Sequence, residues 1–242
     1  MTTKFPFKLG LKPSPRDDRD LKLCIEPNKV LPITYEIPIV RCIYSQQHND
    51  CSSNAICNQI MTLKDWNDNT YPSRIFQYWI SREVAGNTDE DEGCSYRDAY
   101  NGLSKYGFTD ENQCPYHNGD VFKRPPQEAF EKANKTFVRK YKSIMPNQYS
   151  IKYARSQNLP VAFGTMIYNN FSPGEKFIIP LPSGEMLGGH ALIIIGFSDK
   201  TRLFTVLNSW GANWGDNGKC YMRYEHILTI EWCFEFWVIT KQ

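Results

Sequence analysis

The apolar pattern of this chain changes period along its length, and that change limits the architectures open to it. Ala55, Ile56, Ile60 and Leu63 fall near i, i+4, i+7 spacing, one face of a helix. Asn49 and Asp50 just before them are N-cap types. A second helix is predicted over 73–84, with Ile75, Phe76, Trp79 and Ile80 inward. A third runs over 95–106 and stops at Gly107, a natural C′ residue. Pro125 and Pro126 suit the first turn of a helix reaching Ala133, and another is predicted over 147–157. Then come runs that read as strands: 160–168, 191–197, 203–208, 219–224 and 233–240, with Asp199-Lys-Thr-Arg202 as a hairpin loop. Helices first and strands later predict an α+β chain with a helical lobe over 37–117 and a β lobe over 118–242. Residues 1–36 are rich in proline and charge and lack a helical period, which predicts an extended arm.

A chain of 242 residues with 41% hydrophobic content can bury a sizeable core. Its net charge of +2 gives no electrostatic case for nucleic acid or a membrane surface. The densest basic stretch, Lys135 to Lys142, reads as a solvated strand face. No apolar run approaches the ~20 residues a bilayer span needs, and the N-terminus does not read as a secretory signal. Eight cysteines stand at 24, 42, 51, 57, 94, 114, 220 and 233, and none forms a C-x-x-C pair. A zinc ribbon or dithiol motif is therefore not expected, nor is any metal or cofactor. The expectation is an intracellular monomer with reduced thiols.

The residues that carry chemistry form a constellation. Cys51 stands among small polar residues in SQQHNDCSSNAI, at a predicted helix start. His190 opens an apolar strand after Gly188 and Gly189, and Asn208 begins a run reading N-S-W-G-x-x-W-G-x-x-G to Gly218. A lone histidine is usually structural. Here Cys51 lies 139 positions before His190 (190 − 51), and Asn208 lies 18 after it (208 − 190). A cysteine with histidine and asparagine about 130–150 residues downstream is the known spacing of papain and cathepsins, so the agreement is a recognition and not a derived magnitude.

On these residues the chain resembles the papain-like cysteine peptidases. Cys51-Ser-Ser-Asn-Ala55 is similar to the branch found in bacteria and large DNA viruses, with giant-virus cathepsin B-like peptidases the nearest likeness. LGLKPSPRDDRD is similar to that branch's short leader. The resemblance implies a two-lobe papain-like fold with a cleft between the lobes and a polypeptide substrate. Cys51 would be the nucleophile, His190 the base and acid, and Asn208 the group orienting the ring, with Trp210 shielding that contact. The Cys51 backbone N–H and a glutamine side chain would form the oxyanion hole. The family's glutamine lies six residues before the nucleophile, where this chain has Ser45, so a one-residue loop deletion is required. Gln46 is preferred to Gln47. Gly93 would pair with substrate backbone, and Gly164 and Gly189 would border the S2 pocket.

Two effects at such a site lower a thiol pKa: the helix N-terminus and a facing imidazolium. Cys57 reads as core, and Cys220 and Cys233 as buried thiols that are neighbours in the sheet. His48 is too near Cys51 in sequence to approach it well, and His226 has no supporting motif. Cys114-Pro-Tyr-His117 resembles the stretch before cathepsin B's occluding loop, but too little chain follows for the loop itself. Two other functions stay open: a weakly active or inactive binding module on the same scaffold, and an acyl transferase using the same three residues.

Overall fold

In the computed structural model the described residues are 5–37, 40, 42–63, 71–116, 120–133 and 140–240. The histidine at 117 and most of the basic stretch, 135–139, lie outside them. In chain order the elements are strands β1 (Leu11–Lys12) and β2 (Thr34–Tyr35), helices α1 (Cys51–Leu63) and α2 (Arg74–Ala85), and β3 (Cys94–Ser95). Helices α3 (Tyr96–Tyr106) and α4 (Gln127–Ala133) follow, then β4 (Lys140–Ser143) and α5 (Gln148–Ser156). Strands β5 (Val161–Tyr168), β6 (Met186–Ser198), β7 (Leu203–Leu207) and β8 (Lys219–Arg223), helix α6 (Tyr224–Leu228) and β9 (Cys233–Thr240) complete the chain.

The helical side forms for local reasons. Ser73 caps α2 by accepting from the Phe76 N–H, and Ser95 caps α3 by accepting from the Asp98 N–H. Inward positions of these helices join one core that includes Ile56, Phe76, Ile80, Tyr100 and Leu103. Helix α4 belongs to this packing, with Phe130 set edge-on to Phe76 at 5.0 Å, so the helical side extends past residue 117.

The β side is a sheet ordered β4-β9-β5-β6-β7-β8, with β2 pairing β6 as well, and every pairing in it is antiparallel. Phe163, Ile194, Phe204, Val206 and Met222 form its second core. Strand β6 begins at Met186, earlier than its apolar run, because Gly188 and Gly189 continue the ladder with β5. Cys220 and Cys233 are both buried free thiols but not neighbours, since three strands separate β8 from β9.

His226 is fully buried and neither ring nitrogen has a hydrogen-bond partner among the described residues. Burial first, then the charge of Arg223, pushes its pKa down to about 4. A depressed pKa gives stability that is present above the ordinary value of 6.5 and lost as pH falls toward 4. His226→Leu should therefore gain on the parent by about 2–3 kcal/mol between pH 7 and pH 4.5. Urea midpoints at the two pH values test this, and a pH-independent difference would contradict it.

Candidate active site

Cys51 is the first residue of α1 and is fully buried. The carbonyl of Asp50 accepts the Asn54 N–H and starts the helix, leaving the first N–H groups unpaired within it. The loop facing this end is fixed by polar contacts. Arg82, itself fully buried, donates to the carbonyls of Thr88 and Glu90 at 3.0 and 2.8 Å. Tyr78 donates its hydroxyl to Asp91 at 2.7 Å and accepts the Gly93 N–H at 3.1 Å. Asp91 also accepts the Asn49 N–H at 3.1 Å, which ties the loop to the residues before Cys51.

From the β side, β6 brings His190, and the loop after β7 brings Asn208. His190 Nε2 lies 2.8 Å from Asn208 Oδ1. That oxygen also accepts the Ser209 N–H at 2.7 Å, so it acts as an acceptor and the ring N–H belongs to Nε2. Nδ1 of the neutral ring is then bare, and it has no partner among the described residues. Trp210 stacks on the imidazole at 4.5 Å and 21° and covers it from water. The next residue, Ala191, directs its N–H at the Cys51 sulfur, which brings the β side onto the thiol.

The cleft is not open. The arm runs through it. Phe7 stacks on Trp210 at 4.2 Å and 5°. The Lys8 carbonyl accepts from Gln46 Nε2 at 3.1 Å. The Gly10 carbonyl accepts the Cys94 N–H at 3.1 Å, and the Gly10 N–H is directed at the Cys51 sulfur. Leu11 is buried beside Gly164, where an added Cβ would stand 2.7 Å from the leucine methyl and 2.6 Å from the Phe234 ring. Strand β1 pairs with β3 in parallel, and Lys12 reaches Glu92 at 3.2 Å. Gly10 and Gly93 approach so closely that a side chain on Gly10 would overlap the Asn49 carbonyl, and one on Gly93 the Gly10 carbonyl.

The predicted residues fall around this occupied groove. Gln46 points a side-chain donor into it, with Nε2 3.1 Å from both the Lys8 and the His48 carbonyls. Ser209 donates its hydroxyl to Gln46 Oε1 at 2.5 Å and fixes that amide. The Gln47 backbone N–H donates to the Tyr116 hydroxyl at 2.8 Å. Gly93 is in contact with the arm, but the hydrogen bond comes from its neighbour Cys94. Gly164 and Gly189 both face Leu11, the second touching its carbonyl. His48 is half-buried beside Asp91 at 3.7 Å and is separate from the His190 pair.

The expected fall in the Cys51 pKa is reversed. Burial pushes it up to about 12 against the Ala191 and Gly10 hydrogen bonds, and the charge of Asp50 adds to the rise. Burial also pushes His190 down to about 4, opposed by Asn208. The arm excludes the water that a thiolate–imidazolium pair needs. Asp50 is buried too, and burial raises its carboxyl to about 7. Its weight as a charged neighbour of Cys51 was not visible in the sequence, where it read as a cap.

The papain family cysteine protease model matches residues 46–233. A peptidase C1-like protein of Acanthamoeba polyphaga mimivirus is 31% identical over 207 residues, covering 79% of this chain and 67% of the relative. A gut-specific cysteine proteinase of Caenorhabditis elegans is 27% identical over 155 residues, and the match spans 45% of its length. Among solved structures, xylellain, a cysteine protease from Xylella fastidiosa, superposes with a TM-score of 0.89 at 26% identity, covering all of both chains. Procathepsin B S9 from Trypanosoma congolense shares the fold, with a TM-score of 0.75 at 16% identity and 97% and 87% of the two chains covered. With its match running from Gln46 through α1 to β9, the chain belongs to the papain family of cysteine proteases.

Proposed function

We propose that this chain is a cysteine endopeptidase in which Cys51 attacks a peptide carbonyl and the arm holds the resting site closed. The observation that carries the reading is the His190–Asn208 contact beneath Trp210, which leaves Nδ1 bare on the strand that meets the Cys51 sulfur. In the open site Nδ1 takes the thiol proton and the sulfur adds to the carbonyl carbon. The oxyanion is held by the Cys51 N–H and Gln46 Nε2, the donor that now serves the Lys8 carbonyl. The imidazolium returns its proton to the leaving amine, a thioester remains, and water hydrolyses it.

The arm lies backwards for this reaction. His190 and Trp210 mark the leaving-group side, where Phe7 sits, and Leu11 lies at the other end beside Gly164. A substrate presents its C-terminal part to the leaving-group side, whereas the arm presents its N-terminal part. No arm peptide bond then offers its nitrogen to His190, so the arm blocks without being cut. Among the described residues no helix is long and apolar enough to cross a membrane.

The test is covalent labelling. An epoxide-type thiol inhibitor should modify Cys51 stoichiometrically once the arm is displaced, as read by peptide mass spectrometry. Modification of the other thiols with Cys51 untouched would favour a binding module on this scaffold.

A further inference from the structure

Beyond Trp210 the leaving-group side opens into a hollow of about 760 Å³. Its walls include Phe171, Phe177, Leu187 and Trp214, and Phe5 and Phe7 of the arm border it. Trp214 stands perpendicular to Trp210 at 5.3 Å, and Phe171 stacks on Trp214 at 6.3 Å. The aromatic wall is thus continuous with the ring that covers His190.

Phe177 makes this more than an apolar dent. Lys176 and Phe177 both adopt left-handed backbone, with φ of 56° and 57°. For a bulky residue this conformation is uncommon and costs on the order of 1–3 kcal/mol. The turn is held by four backbone bonds: the Gly174 N–H to the Ile178 carbonyl, the Phe177 N–H to the Gly174 carbonyl, the Ile178 N–H to the Glu175 carbonyl and the Ile179 N–H to the Tyr221 carbonyl. Core burial does not account for the strain, because Phe177 is 43% exposed. What the strained turn achieves is to hold an aromatic ring at the edge of the hollow. The arm has placed two phenylalanines there, with Phe5 edge-on to both Phe7 and Trp210 at 5.7 Å. Glu185 is the one charged residue of the lining, and it disfavours an acidic occupant.

We infer that this hollow is a specificity site for the leaving fragment of the substrate, taking a phenylalanine or tyrosine side chain within the first three residues after the scissile bond. The inference rests on the peptidase reading above, and it adds Phe177 as a residue that selects substrates. In the resting chain the arm's own phenylalanines line one edge of the site.

The test uses the full-length chain carrying Gly10→Ala, in which the added methyl would overlap the Asn49 carbonyl and weaken the arm's hold. Internally quenched peptides share every residue through the scissile bond and carry Phe, Leu, Ala or Asp at one of the next three positions. At one of these positions kcat/KM should be at least about tenfold higher for Phe than for Ala, a modest share of what burying an aromatic ring can supply, and lowest for Asp. Adding Phe177→Gly relieves the strained φ, so Tm should hold or rise. The Phe/Ala ratio should nevertheless fall to about 2 or less, which separates loss of the ring from loss of the fold. Hydrolysis and Cys51 labelling with no preference for Phe would overturn this inference alone. If neither hydrolysis nor labelling occurs, the peptidase reading fails, and binding decides this one. Fluorescent peptides matching the leaving fragment, with Phe or Ala, are then titrated into Cys51→Ala, Gly10→Ala chain. Equal Kd values would overturn the site, and a tenfold preference for Phe would support it.

Discussion

Alanine at position 10 should raise hydrolysis of a dipeptide amide by the full-length chain about 10- to 100-fold. The added methyl would overlap the Asn49 carbonyl, a backbone atom next to the nucleophile helix. An overpacked contact of this kind costs about 1–3 kcal/mol, which is 5- to 150-fold in the closed-to-open ratio. The arm's hold on the cleft includes Leu11 and Phe7, each able to contribute about 1.5–3 kcal/mol by burial. One methyl therefore weakens the closed state without abolishing it. Alkylation should follow the same course. In the closed chain Cys51 keeps its proton at every physiological pH, its pKa having been raised to about 12 chiefly by burial. Opening rehydrates the sulfur, so the iodoacetamide rate at pH 7 should rise in Gly10→Ala. An unchanged rate of hydrolysis and alkylation in a folded Gly10→Ala chain would show that the arm does not govern access.

Cys51→Ala in the opened chain should remove turnover by a factor on the order of 10⁴–10⁶, the range seen when a nucleophile is deleted from a comparable constellation. The substitution takes one sulfur from the first core at a buried helix start and leaves the caps of α2 and α3 and the second core intact. A stability change of about 1 kcal/mol is expected. The comparison must be made in the Gly10→Ala background, since the closed parent is already slow. Turnover above roughly a hundredth of the Gly10→Ala value would remove Cys51 from the mechanism.

The helices were legible because their apolar spacing and caps are local: Ser73, Ser95 and Gly107 stand where the sequence places them. The five strand runs were legible as runs, but their order was not. That order is why Cys220 and Cys233 are far apart. Gly188 and Gly189 hid the first turn of β6, since glycine reads as a break unless a partner strand is known. At the site, Cys51, His190 and Asn208 stood out through a rare motif. The thiol pKa went the other way because it depends on what lies over the sulfur, and a segment some forty residues upstream does so. Its one local sign was Lys8-Leu-Gly-Leu-Lys12, a glycine between two leucines in an otherwise charged and proline-rich stretch. Phe177 carried no sign at all, since its left-handed backbone is set by a turn bonded to β8.

The arm does not end at the groove. Past Leu11, Ser14 holds Glu235, Asp20 pairs with Arg97, Leu21 and Leu23 bond Ser143, and Thr34–Tyr35 joins β6. The blocker is consequently a ligand on a leash, present at a local concentration that no amount of solvent can lower. Diluting the intact protein should leave its latency unchanged. A single backbone cut near Val30, which is 94% exposed, would turn the same segment into a dissociable fragment whose grip weakens as the solution is thinned.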